Sequence, residues 1–542
     1  MYLFRFFTVL FVFSGLLVQC KGNSDRTVSG QITDSLHSKM NADTMVPVLT
    51  HSMTGISFDS ATIPVFLNKY PSFKQFSNDI YTFYRNRSYN YAWFRKEGLG
   101  EPAQILLDKL HQESIDGISV SIPYKEAMQE MFHFSDNNGK PEYLLPEVNA
   151  ELMLTGQYLS IAQKIWGGAY GKNLESLEWN IPRKKLSYEQ LLEKSLDASN
   201  LPKIEQEILN PEYLLLRTAL KQYREMEKKS PDPVSIPKLK KSLKPGDTSS
   251  VLPKVRERLH LFGYLDQTDT QVTYDPLLIA AVNRYKQSIG LKQDSIITNE
   301  MISGLSVPVK KRIEQIMVNL ERFRWMPNHE NSDEFIFVNI PGYKLRYFEK
   351  GKEVWDCNVV VGKTMNKTVI FSGMMQYVVL SPYWYVPPSI IQKEVVPGMK
   401  RNKNYLASHN MEWNGGNVRQ LPGPKNSLGR VKFIFPNSNN IYLHDTPSKS
   451  LFEEDTRAFS HGCVRVGQPR DLAHRVLRND PNWPPAKIDE AMAGTTEKTV
   501  TLKKKIPVVI GYFTAFVEKN GDVNFRKDIY DRDEKLLKSI TN

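Results

Sequence analysis

The run Ser460-His461-Gly462-Cys463-Val464-Arg465 holds residue types that nucleophilic catalysis needs, and a second histidine lies upstream in Ile441-Tyr442-Leu443-His444-Asp445. A thiol becomes a strong nucleophile when a neighbouring base takes its proton, and a histidine can later return that proton to a leaving amine. Cys463 is therefore the candidate nucleophile and His444 the candidate base. Glycine before the cysteine lets the backbone come close to a substrate, so the Gly462 and Cys463 amides could face a developing oxyanion. Three other readings use the same residues. A lone cysteine in a β domain is often a small buried hydrophobe, the role expected of Cys357 within Trp355 to Val361. His444, His461 and Cys463 are legitimate zinc ligands, although no H-E-x-x-H motif accompanies them. Cys357 and Cys463 could also pair as a disulfide in an oxidising compartment.

These residues need a rigid frame. From Glu334 onward short β-rich runs at 335–340, 344–348, 354–361, 377–380, 431–435 and 441–443 alternate with Gly, Pro and Asn turns, which predicts a mostly β domain over 333–512. His444 is expected to end the last of these strand-like runs. Residues 381–426 read as a long irregular stretch rich in Pro, Gly, Asn and Trp, and loops that long inside a compact domain are usually functional. A lid is expected there, with a C-terminal extension at 513–542.

Upstream, Val309, Ile313, Ile316, Leu320 and Phe323 form a periodic stripe stopped by Trp325-Met326-Pro327, a connector helix within 307–327. Before it, 244–306 reads as three short helices. Leu252, Val255, Leu259 and Phe262 run up to Gly263, Leu278, Ala281, Val282 and Tyr285 run up to Gly290, and a third helix ends near Leu305. This unit holds no candidate acid, base or nucleophile. A Pro- and Lys-rich linker occupies 229–250. Residues 58–228 read as helical, with apolar faces such as Leu106, Leu107, Leu110 and Leu152, Leu159, Ile165. The segment from Tyr84 to Trp93, dense in aromatics and Arg, reads as packing rather than a ligand-stacking surface.

The chain has 542 residues, enough for several domains of roughly 100 to 200 residues each. With 41% hydrophobic and 24% charged residues it fits neither wholesale disorder nor a polytopic membrane protein. A formal charge of +12 favours an anionic partner, for which a wall polymer, a membrane surface and nucleic acid all qualify. Arg5 and the apolar run 6–18 suit a signal-peptide core and are too short to span a bilayer, so 1–20 is expected to be a signal for export. Cys20, behind Leu17-Val18-Gln19, resembles the lipidated cysteine of a bacterial lipoprotein. A cleaved signal and an uncleaved anchor are the competing expectations, and 21–57 reads as a tether. The fold class expected is multidomain α+β.

The order His444, a spacer, Ser460-His461-Gly462-Cys463, Val464 and Arg465 closely resembles the signature of the L,D-transpeptidase catalytic domain of bacterial cell-wall enzymes. The resemblance extends to Val359-Val360-Val361-Gly362-Lys363, to the run from Ser381 to Ile390, and to the tail from Val508 to Asp533. Lys244-Pro-Gly-Asp, Val255-Arg-Glu-Arg-Leu, Phe262-Gly-Tyr-Leu, Ala280-Ala-Val-Asn-Arg-Tyr-Lys and Ile289-Gly-Leu resemble a peptidoglycan-binding domain, with Tyr285-Lys286 where that domain has an aromatic-Gln pair. The chain as a whole looks like the large branch of the family, with a helical scaffold domain at 58–228. The resemblance implies that Cys463 is acylated, that His444 is its base, and that the Asp445 carbonyl orients His444. It further implies an oxyanion site at His461, Gly462 and Cys463, and substrate contacts from Arg465, Ser460, Trp384 and Tyr385, Arg465 being suited to a stem-peptide carboxylate. The expected partner is peptidoglycan, as donor and acceptor stems, with no nucleic acid, no metal and no cofactor. The expected location is the periplasm or cell envelope, with carbapenems acylating the cysteine. A non-catalytic wall-binding lipoprotein and a zinc peptidase acting on peptidoglycan are the alternatives.

Overall fold

The computed structural model describes residues 55–110, 114–115, 118–119, 122–132, 146–169, 177–229, 235–327 and 332–541. The expected signal segment, Cys20 and most of the expected tether lie outside these residues. The tether's last residues belong to the folded body, since Ser57 bridges Asn90 and the Phe58 amide donates to Tyr89 O.

The N-terminal region carries helices α1 (Thr62–Lys69), α2 (Ser77–Asn86), α3 (Glu101–Leu110), α4 (Lys125–Phe132), α5 (Val148–Ala162), α6 (Tyr188–Ser195), α7 (Leu201–Ile208) and α8 (Pro211–Lys229). Between them run the hairpins β1 (Phe94–Arg95) with β2 (Gly98–Leu99) and β3 (Ser114–Ile115) with β4 (Ile118–Ser119), and the short strand β5 (Trp179–Asn180). Helix α5 is the axis. Glu147 caps it by accepting the Ala150 amide at 2.9 Å, and it is buried on nearly every side. Gly156 is required there, because a Cβ would lie 2.8 Å from the Phe73 ring. The aromatic segment serves packing, as expected: Tyr84, Tyr91 and Trp93 are buried and Arg87 pairs with Glu193 at 2.6 Å.

Helices α9 (Leu252–Leu261), α10 (Pro276–Ser288) and α11 (Asn299–Leu305) form a unit with its own apolar core of Leu252, Val255, Leu278, Val282, Met301 and Leu305. Asp275 and Thr298 cap the second and third of these helices, and Gly263 and Gly290 take the positive φ (+77° each) that ends the first two. Lys286 is buried in the unit, bonded to Asp294 and to Ile296 O.

The connector α12 (Val309–Trp325) packs on α8 and carries a buried ion pair of its own, whose arginine also reaches α8. Arg324 meets Glu321 at 2.9 Å, Tyr213 Oη at 2.8 Å and Ile165 O at 2.9 Å. Losing one partner of such a pair costs about 3–5 kcal/mol.

The strands β6 (Glu334–Asn339), β7 (Lys344–Glu349), β8 (Lys352–Gly362) and β9 (Ile370–Leu380) start the large sheet. The stretch expected to be a lid holds β10 (Trp384–Tyr385), α13 (Pro388–Ile390), α14 (Val396–Arg401), α15 (Tyr405–Ser408), β11 (Met411–Asn414) and β12 (Asn417–Gln420). After it come β13 (Val431–Ile434), β14 (Leu443–His444), β15 (Ala458–Ser460), β16 (Val464–Val466), α16 (Pro469–Leu477), α17 (Pro485–Ala493) and β17 (Lys498–Gly511). In the order β13-β14-β16-β8-β7-β6-β17-β9, with β9 paired back to β13, the sheet closes on itself and has no free edge along that path.

Two expectations need correction. The stretch 381–426 is not irregular: β10, β12 and β11 make a small sheet over a core of Val386, Val395 and Val418, turned by Gly415-Gly416 at positive φ. Its helices are too short to show a periodic stripe. The strand expected at 441–443 begins only at Leu443 and ends at His444, because the Asn437 side chain bonds both the amide and the carbonyl of Ile441.

The tail, β18 (Ala515–Val517), β19 (Val523–Phe525) and α18 (Asp533–Thr541), packs into the body. Asp533 pairs with Arg322 of α12 at 2.7 Å, and Tyr530 Oη donates to Gly362 O.

Candidate active site

The site grows from strand register. Lys432 stands opposite His444 and His444 stands beside Arg465. Side chains alternate across a strand, so Lys432, His444 and Arg465 share one face, and Tyr442 and Cys463, two residues before their neighbours, join them. Val431, Phe433, Leu443, Val464 and Val466 take the other face and are fully buried.

His444 is 5% exposed. Its Nδ1 lies 2.5 Å from Asp445 O, and since a carbonyl can only accept, Nδ1 carries the proton and Nε2 keeps its lone pair. Burial first, then the Arg465 charge, pushes its pKa down to about 3, against the pull of the Asp445 carbonyl. The imidazole is neutral at pH 7. The Asp445 carboxylate is occupied elsewhere, accepting from the Arg430 amide, the Thr446 amide and Lys449. It also packs against Gly429, where a Cβ would lie 2.3 Å from it.

Cys463 is a free thiol whose Sγ lies 3.7 Å from Asn440 O. Burial raises its pKa, and the Tyr442 amide and hydroxyl, Lys432 and Arg465 pull it back down. The resting pair is thus a neutral thiol and a neutral imidazole, and the thiolate has to be made by proton transfer at the moment of attack. The turn before Cys463 is fixed by Ser460, whose Oγ donates to Cys463 O at 2.5 Å and accepts the Gly462 amide at 3.1 Å. Thr368 Oγ1 donates to Gly462 O at 2.8 Å and Tyr530 accepts the Thr368 amide, which connects the tail to this turn. Gly462 has φ +119°, a conformation that other residues rarely adopt.

The Gly462 amide therefore points at Ser460, not at a substrate oxygen. The Cys463 amide has no acceptor among the described residues. His461, its side chain 46% exposed, faces the lid, with Nε2 3.5 Å from Glu394. Arg465 has a buried Nε without a partner, and no described carboxylate lies within ion-pair distance of it. Trp384 packs on the lid's own core, while Tyr385 is 58% exposed.

The competing readings of the cysteines meet this geometry directly. Cys357 and Cys463 are both free, so the disulfide is not formed. Cys357 is buried and pushed up to about 11 by that burial, as a structural thiol is expected to be. Among the described residues no three His, Cys, Asp or Glu side chains converge so as to hold a metal ion.

A model of the L,D-transpeptidase catalytic domain family matches residues 333–510, and a model named Scaffold domain matches 78–220. Residues 333–510 form an L,D-transpeptidase catalytic domain. A curated Haemophilus influenzae protein that carries the L,D-transpeptidase name is 33% identical over 244 residues, covering 41% of this chain and 49% of that protein. The chain thus spans about half the length of the curated relative it matches. Among solved structures, an L,D-transpeptidase from Stackebrandtia nassauensis is 13% identical, covering 50% of this chain and 95% of its own, with a TM-score of 0.20. One from Xylanimonas cellulosilytica is also 13% identical, covering 51% and 100%, with a TM-score of 0.18.

Within this L,D-transpeptidase domain two residues at the thiol were not singled out from sequence. The Tyr442 hydroxyl favours the Cys463 thiolate against its burial, and Lys432 Nζ sits 4.0 Å from the centre of the Tyr442 ring. The signal was present in Tyr442-x-His444 alternation and in one lysine set in the apolar run Val431 to Phe435.

Proposed function

We propose that this chain is a peptidoglycan L,D-transpeptidase. His444 Nε2 takes the Cys463 proton, and the thiolate attacks the carbonyl of the third, dibasic residue of a donor tetrapeptide stem. The Cys463 amide steadies the oxyanion. Collapse breaks the peptide bond, His444 returns the proton to the leaving amine, and D-alanine departs, leaving a thioester. An amine of a neighbouring stem then attacks the thioester, loses its proton to His444, and regenerates the thiolate as a 3-to-3 cross-link forms. Arg465 is placed to meet a stem carboxylate. The three-helix unit would hold the enzyme on the wall, and export through residues 1–20, with Cys20 as a lipid anchor, would bring it there.

The observation that carries this reading is the shared face of Cys463, Tyr442 and His444, with His444 Nδ1 tied to Asp445 O so that Nε2 is free to act. A non-catalytic relic would have no need of a buried histidine held in one tautomer. The test is incubation with a purified disaccharide tetrapeptide and mass analysis of the products. Cross-linked dimer with released D-alanine is expected. Disaccharide tripeptide alone would make the enzyme a hydrolase, and no turnover would leave the wall-binding reading.

A further inference from the structure

Lys432 belongs to no part of the reaction described so far, yet its position is hard to account for by packing. It sits on β13 between the fully buried Val431 and Phe433 and stands opposite His444. Burial lowers its pKa, which is the mark of a cation held partly out of water, and such a cation ordinarily has a carboxylate partner. No described carboxylate lies within ion-pair distance of it. The acidic groups whose charge acts on it are the Cys463 thiol and Glu497, whose Oε2 already accepts the Tyr383 amide at 2.8 Å. Its ammonium instead rests on the face of Tyr442, 4.0 Å from the ring centre, and the same tyrosine adjoins the nucleophile, its carbonyl accepting the Val464 amide at 3.2 Å and its hydroxyl favouring the Cys463 thiolate.

We propose that Lys432 is a positioning residue for the nucleophile: it clamps Tyr442 against Cys463 through its ring and supplies the positive charge that the Cys463 thiolate requires. Cys463 Sγ lies 3.7 Å from Asn440 O, and Tyr442, Lys432 and Arg465 act on its charge. Lys432 comes from β13, Tyr442 and His444 from β14 and the residues just before it, and Arg465 from β16, while the lid's Glu394 engages His461. Lys432 and Arg465 flank His444 on either side, so protonating the imidazole is disfavoured while ionising the thiol is favoured. One cation would serve substrate recognition and the other would remain for the sulfur when a stem carboxylate neutralises Arg465. The inference rests on Cys463 being the nucleophile, and not on which acyl donor it meets.

The test reads the thiol itself. The rate at which the Cys463 thiolate displaces iodide from iodoacetamide is followed against pH in the full chain, with Cys20→Ser and Cys357→Ser as background so that one thiol is scored. Lys432→Met is expected to raise the midpoint of that profile by about 1 pH unit, with alkylation at pH 7 falling roughly tenfold. Lys432→Arg, which keeps the charge and the ring contact, is expected to stay near the parent. Should the Met variant fail to fold, Lys432→Gln is read in the same way. An unchanged midpoint in a folded, uncharged variant overturns the proposal, and so does an equal shift in Lys432→Arg, which would reduce Lys432 to a matter of shape. Failure of peptidoglycan turnover in the parent would leave this experiment untouched.

Discussion

Two buried polar clusters, one in the helical region and one in the catalytic domain, are built from similar groups and left in opposite conditions. In the helical region Glu151 is fully buried on α5, and its carboxylate accepts from Tyr84 Oη at 2.8 Å, the Ala92 amide at 2.6 Å and the Trp93 amide at 3.1 Å. Trp93 Nε1 and Tyr84 Oη also bond Thr155. Every member is satisfied, and the network fixes the aromatic segment to the central helix. In the catalytic domain Arg465 Nε and the Cys463 amide have no hydrogen-bond partner among the described residues, and Lys432 meets an aromatic face where a carboxylate would be expected. Unpaired buried groups are costly, and a fold retains them where a substrate will complete them. Satisfaction, more than burial, separates the structural cluster from the functional one.

The largest effect that could break this contrast comes from the nucleophile. Cys463→Ser is expected to lower cross-linking by more than about 1000-fold, over 4 kcal/mol of barrier at about 1.36 kcal/mol per tenfold, with an unchanged melting temperature. His444→Ala is expected to slow the reaction by about 100- to 10,000-fold, and to slow carbapenem adduct formation at Cys463, read by intact mass, with chelator having no effect.

The helical cluster should respond the other way. Glu151→Leu leaves the Ala92 and Trp93 amides without an acceptor and is expected to destabilise the chain by about 3 kcal/mol in chemical denaturation. Alkylation of Cys463 per folded molecule is expected not to change.

The two clusters also pull stability in opposite directions with pH. Burial raises Glu151 to about 7 from 4.5, so the folded state holds its proton longer and this group's contribution falls as pH rises between those values. His444 is lowered to about 3 from 6.5, so the unfolded state takes the proton first and stability rises with pH across that window. Melting temperatures of Glu151→Gln are expected to lose the decline between pH 4.5 and 7, and those of His444→Gln the rise between pH 3 and 6.5. The smallest effect belongs to Cys357→Ser, a polar group in a buried strand, where about 1–2 kcal/mol of stability and no catalysis should be lost.

What the sequence made legible follows from how local each signal is. Ser460-His461-Gly462-Cys463 is one turn, so its residues meet wherever the chain goes, and the stripe from Val309 to Phe323 is one helix. Tyr442 and Lys432 matter only through pairing of strands that a sequence does not align: Lys432 meets His444 because β13 and β14 are antiparallel in that register. The Gly462 amide was expected at the oxyanion because the motif places it there, while the Ser460 hydroxyl, also in the motif, captures it. The lid's order was hidden because its helices are a turn or so long and its sheet is held by a core of few residues.

The central claim is that Cys463, activated by His444, carries an acyl group. Its most direct test is intact-protein mass spectrometry with peptide mapping during turnover of a disaccharide tetrapeptide. An added mass equal to the donor less its terminal D-alanine is expected on Cys463, discharged by an amine acceptor and absent from Cys463→Ser. Turnover that proceeds with no adduct on Cys463, or with the adduct on another residue, would contradict it.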